Sequence, residues 1–97
     1  MYYYFEFHVT VPQGVPPEQF QMLRDEERKV VHALQETGEM QHLWRVAGQF
    51  ASMGILDVTD HERLHAVISG LPLFPYMSVR LVPLARHQAA LDRTSDA

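Results

Sequence analysis

Ninety-seven residues with a formal net charge of −4, from 8 Lys+Arg against 12 Asp+Glu, suffice for one compact domain and offer no basic block to neutralise phosphates. Nucleic acid and acidic membranes are therefore not expected as partners, and the lack of cysteine removes disulfides, thiol nucleophiles and thiolate metal sites. No long apolar run occurs and Met1–His8 places no basic segment ahead of an apolar one, so the expectation is a cytoplasmic protein with neither signal peptide nor membrane span.

Tyr2 to Val11 alternates, with Tyr3, Phe5, Phe7, Val9 and Val11 on one side and Tyr4, Glu6, His8 and Thr10 on the other, which predicts a strand with two unlike faces. Pro12 to Pro17 is a turn, and the helix expected from Pro17 to Thr37 begins with prolines where the first amides lack intrahelical partners anyway. Its apolar stripe is Phe20, Leu23, Val30, Val31 and Leu34, with Gly38 placed to end it in a left-handed cap. Gln41–Ala47 and Phe50–Val58 read as a hairpin around Gly48. Thr59-Asp-His-Glu62 reads as a capping box opening a second helix that carries Leu64, Val67 and Ile68 and stops at Gly70. Met77 to Leu84 supplies the last strand.

The order β-α-β-β-α-β predicts an α+β, ferredoxin-like antiparallel sheet with two helices on one face, formed by residues 1–84 as a single domain. The other face carries aromatic residues of the first strand that no helix would cover, so self-association is expected. The polar tail, residues 85–97, is expected to fray or to pack on a neighbouring subunit.

Glu27 is the conspicuous side chain, because it lies one turn after Leu23 and one turn before Val30 and Val31, on the stripe that should face the sheet. Burial of a carboxylate there would raise its pKa toward the range of a general acid or base. On pattern alone, an ordinary surface pair with Arg24 or Arg28 competes with that reading. His61-Glu-Arg-Leu-His65 spells the zinc-protease signature HExxH, but Glu62 is already assigned to the cap and no third ligand follows, so no metal site is expected. His8, beside Glu6, is the remaining histidine that the strand could turn toward a pocket. No phosphate-cradling glycine loop, nucleophile elbow or dinucleotide fingerprint is present, and no cofactor is expected.

The segments His42-Leu-Trp-Arg-Val-Ala-Gly-Gln-Phe50 and Leu71-Pro-Leu-Phe-Pro-Tyr-Met77 resemble the HLWR-x-AG-x-Y/F-A and LPLFPYM motifs of the muconolactone Δ-isomerase family. The resemblance extends weakly over almost the whole chain, from Pro12 to Arg86-His87. It implies a ferredoxin-like subunit in a homo-oligomer of the α/β-barrel type, dimer-based and typically decameric. The implied activity is cofactor-free proton transfer that moves a double bond in a small unsaturated lactone during aromatic catabolism. Glu27 falls on the family's proton-transfer glutamate and Arg24 on a basic position, usually lysine, that would bind a substrate carboxylate.

Two positions depart from the family. Gln49 stands where histidine is common and Ser52 where asparagine is common, both at sites that would face the lactone, against a plain reading as hairpin surface. Trp44 belongs to the matching motif and joins Arg24, Gln49 and Ser52 as an expected substrate-binding residue. Alternation sets His42 and Trp44 opposite Leu43 and Arg45, so these four are not expected to line one pocket together. The altered pair leaves two other expectations open, a different lactone or biosynthetic intermediate, and a non-catalytic ligand-binding module. What separates catalysis from the last is whether Glu27 is buried against a pocket or points to solvent.

Overall fold

The computed structural model describes residues 1–91. Seven short elements follow one another: β1 (Tyr2–Val9), α1 (Pro17–Glu36), β2 (Met40–Arg45), β3 (Ala51–Asp57), α2 (His61–Ser69), a 3-10 turn (Phe74–Tyr76) and β4 (Met77–Leu84). The four strands form one antiparallel sheet in the order β2-β3-β1-β4, the ferredoxin-like arrangement expected from the sequence.

Alternation along β1 decides which face is dry. Tyr3, Phe5 and Phe7 are buried and meet Leu34 of α1, Leu64, Val67 and Ile68 of α2, and Leu56 of β3 in one core, with Val30, Val31, Val79 and Leu81 packed against it. The Phe5 and Phe7 rings stack at 4.5 Å between centroids. Gly54 sits opposite Phe5 on one side and Leu43 on the other. A Cβ there would collide with the His42 carbonyl and come within 2.9 Å of the Phe5 ring, so only glycine allows β2 and β1 to close on β3 at this point.

Several element ends differ from the expected ones by one or two residues. β1 ends at Val9, one more ladder-like bond following in the same register as Thr10 N–H donates to the Tyr76 carbonyl at 2.8 Å, and Val11 is exposed. The cap of α2 shifts by one residue. Asp60, in extended conformation, accepts from the Arg63 N–H at 2.7 Å, so the Thr59/Glu62 capping box does not form. Both residues are competent caps, and the Asp60 carboxylate adds a negative charge at the positive end of the helix. Gly38, with φ +84°, follows α1 as expected.

The second sheet face carries no helix. Ile55, Tyr4 and Val82 lie in register across β3, β1 and β4, with Met53, Glu6 and Arg80 in the next row. Tyr4 donates to Glu6 Oε1 at 2.7 Å and Arg80 stands 3.5 Å from the other carboxylate oxygen. Beyond β4, residues 85–91 run without regular structure apart from a turn in which Ala89 N–H donates to His87 Nδ1 at 3.0 Å. The expectation for the last part of the tail, residues 92–97, lies outside the described residues.

Candidate active site

A cavity of about 380 Å3 opens between α1 and the far end of the β2–β3 hairpin. α1 contributes Arg24, Glu27, Arg28 and Val31, β2 contributes Leu43, Trp44 and Arg45, and Phe50, Ala51 and Ser52 come from the start of β3. Val9 and Leu73 complete the wall.

Glu27 is half-buried in this cavity. Its Oε1 accepts from the backbone N–H of Leu73 at 3.0 Å. Burial pushes its carboxyl above the ordinary carboxylate value, and the Leu73 hydrogen bond, which favours the charged form, opposes part of that rise. Among the described residues no ion pair within 4 Å joins Glu27 to an arginine, so the competing surface pair with Arg24 or Arg28 is not formed. The Arg24 guanidinium lies instead over the Phe50 ring, 5.0 Å from its centroid.

The sequence-derived residues divide here. Glu27, Arg24, Ser52 and Trp44 meet at the cavity, whereas Gln49 does not line it. Gln49 is exposed in the connection between β2 and β3, where its N–H donates to the Val46 carbonyl at 3.1 Å and closes a turn around Gly48, which has φ +77°. A residue in a turn escapes the alternation that brings Ser52 inward. Leu43, Trp44 and Arg45 all border the cavity and His42 does not; the pairing of Leu43 with Gly54, Trp44 with Met53 and Arg45 with Ser52 keeps the expected alternation, so Trp44 is registered with the helix-free face and meets the cavity only at its edge. Trp44 is 65% exposed, which makes it a rim residue. His8 pairs with Ala51 and Ser78 and is absent from the lining, its neighbour Val9 taking that place.

Three contributors escaped the sequence reading. The Leu73 amide is a backbone donor, invisible in a side-chain alphabet, although the Leu71–Met77 motif that carries it is distinctive. Arg45 stood out only as part of a motif, and Phe50 as an aromatic of a strand. Among the described residues no group of three or more His, Cys, Asp or Glu side chains is placed to hold a metal ion, and no helix is long and apolar enough to cross a membrane.

A carboxylate of raised proton affinity, fixed by one amide and facing an arginine-lined cavity on a ferredoxin-like sheet, defines a small α+β enzyme suited to moving a proton on an anionic substrate. Comparison with known proteins narrows the class. The family profile described as muconolactone delta-isomerase matches residues 1–90. Muconolactone Delta-isomerase of Cupriavidus pinatubonensis is 38% identical over 91 residues, covering 94% of this chain and 99% of the relative. The Pseudomonas aeruginosa enzyme of the same name is 35% identical over 91 residues, covering 94% and 95%. A crystal structure of muconolactone isomerase superposes with a TM-score of 0.89 at 33% sequence identity, covering 96% of this chain and 97% of that one. The chain belongs to the muconolactone Δ-isomerase family and is an isomerase.

Proposed function

We propose that this chain isomerises muconolactone by a one-carboxylate proton shuttle, without a cofactor. The observation that carries the reading is Glu27, a carboxylate of raised proton affinity held by the Leu73 amide inside a cavity with Arg24, Arg28 and Arg45 on its wall. Muconolactone is an unsaturated five-membered lactone bearing an acetate arm. The arginine wall suits the arm, and the ring then lies toward Glu27 and Ser52.

The chemistry balances without an outside reagent. Ionised Glu27 takes the ring proton from the carbon that bears the acetate arm, and the electron pair spreads through the double bond onto the lactone carbonyl oxygen. The Ser52 hydroxyl, on the lining with Glu27, is a donor for that oxygen. Protonated Glu27 then returns the proton to the carbon beside the carbonyl, two carbons along the ring, which shifts the double bond and regenerates the carboxylate. Arg24 anchors the acetate arm, Trp44 covers the rim, and Gln49 has no part because it does not line the cavity.

The catalytic unit works in the cytoplasm as a dimer-based homo-oligomer, a decamer in the family's manner. The support is the helix-free sheet face, where Tyr4, Ile55, Met53 and Val82 stay partly exposed and Tyr2 and Leu84 are 49% and 43% exposed.

Proton NMR of muconolactone with the purified protein in deuterated water tests the reaction. Loss of the substrate's vinyl signals, with appearance of the isomer whose double bond lies next to the ring oxygen, is the expected result. Unchanged substrate over hours at micromolar protein would overturn the assignment.

A further inference from the structure

Arg24 and Glu27 are three residues apart on α1, a spacing at which opposite charges ordinarily pair. They are not paired, and the guanidinium of Arg24 lies over the ring of Phe50, where that of Arg45 also lies, 5.7 Å from the centroid. Phe50 is half-buried immediately before β3, with an arginine of α1 and an arginine of β2 over its ring, and all three border the cavity. Among the described residues neither Arg24 nor Arg45 has a carboxylate within 4 Å. Two cations gathered on one ring, neither with a carboxylate of the described residues within 4 Å, form a receptor for an incoming anion. A guanidinium stacked on an aromatic face keeps its N–H groups free at its edge, where a carboxylate can accept two parallel bonds.

We infer that Phe50 is a positioning residue that holds Arg24 and Arg45 together as one two-guanidinium receptor for the carboxylate arm of the substrate, and so sets the preference for acids over neutral lactones. Phe50 touches neither the reacting carbons nor Glu27 in this role. It fixes where the positive charge stands, and it keeps Arg24 from collapsing onto the base. The inference rests on the proposed function for the identity of the acid, but its test reads binding and needs no turnover.

The probes are the saturated lactone with an acetate arm, which cannot isomerise, and its methyl ester, each titrated by calorimetry into wild type, Phe50→Leu, Phe50→Tyr and Arg45→Met. Wild type is expected to bind the acid well above the ester. Phe50→Leu should lose about tenfold in affinity for the acid, with the ester changed less than twofold, because the aromatic face that orients both guanidiniums is gone. Phe50→Tyr, which restores that face, should bind the acid as wild type does. Arg45→Met alters an exposed residue, so it reports on the receptor even if the Leu variant folds poorly, and it should show the same selective loss. Equal losses for acid and ester in Phe50→Leu would show a merely structural ring and overturn the inference. So would unchanged acid affinity in either Phe50→Leu or Arg45→Met, or no preference for the acid in wild type. If wild type prefers the acid and the variants behave as expected but muconolactone is not isomerised, the receptor stands and the assigned reaction falls.

Discussion

The Leu73 backbone N–H donates to Glu27 Oε1 at 3.0 Å and ties together two residues 46 positions apart. Leu73 is buried and lies between Pro72 and the 3-10 turn that begins at Phe74, so its amide is held on a stretch with little backbone freedom. The contact fixes one carboxylate oxygen and leaves the other to the cavity. It also limits how far burial raises the proton affinity of Glu27, since a donor to the charged form favours that form.

Leu73→Pro removes the donor and replaces the buried isobutyl side chain with a smaller apolar ring. The native φ of −88° at this position is near what proline adopts. With the opposing hydrogen bond gone, the Glu27 carboxyl should rise further, and the acid limb of the kcat/KM profile should move to higher pH. Wild type itself should show that limb above the ordinary range of a glutamate. A profile identical in both proteins would mean that the amide does not tune the base.

The stability of the fold should carry the same signature. Glu27 holds its proton more tightly folded than unfolded, so its contribution is most favourable below the unfolded pKa and is lost as pH rises through the folded one. Glu27→Gln escapes that loss. In urea titrations the variant should match wild type at acid pH and be at least as stable at pH 7, the advantage opening across the window between the two pKa values. A variant weaker at pH 7 than at acid pH, relative to wild type, would reverse the sign and point to a structural role for the charge.

The βαββαβ order was legible because its signals are local. Tyr3, Phe5 and Phe7 alternate, Gly38 and Gly70 mark where helices stop, and Glu27 stands out as a charge on an apolar stripe. Partners that meet only through the fold were not legible. Leu73 acts through an amide that every residue but proline has, and Phe50 looks like any aromatic of a half-buried strand until α1 lays Arg24 across it. Gln49 misled for the opposite reason. A family motif aligns letters, and here the letter falls on an exposed turn outside the cavity lining. The cap of α2 slipped by one because Thr59 and Asp60 are both good caps and sequence ranks them nearly equal.

Ser52 and Gln49 should therefore separate in kinetics. Ser52→Ala is expected to lower kcat on the order of 10²-fold, the usual cost of losing a donor to a developing oxyanion, with KM little changed. Gln49→Ala should stay within about twofold of wild type, since its side chain lies outside the cavity wall. A reversed ranking in steady-state assays would return Gln49 to the site.

On the helix-free face, Ile55 pairs with Tyr4 of β1 and faces no helix. Light scattering should report an oligomer at micromolar concentration, and Ile55→Asp should yield smaller species with unchanged helical circular dichroism, because a carboxylate buried in an interface goes unpaired. A monomeric wild type would show that the face is covered by nothing.

The proton-shuttle role of Glu27 is tested most directly by the turnover of muconolactone by Glu27→Gln, followed by NMR beside wild type. Glutamine preserves the shape and can still accept from Leu73, but it cannot take a proton from the ring. Turnover should fall by about 10²–10⁴-fold with KM changed far less and the melting temperature unchanged or higher. A variant that keeps near-normal turnover and melts several degrees lower would identify Glu27 as a structural group and contradict the mechanism.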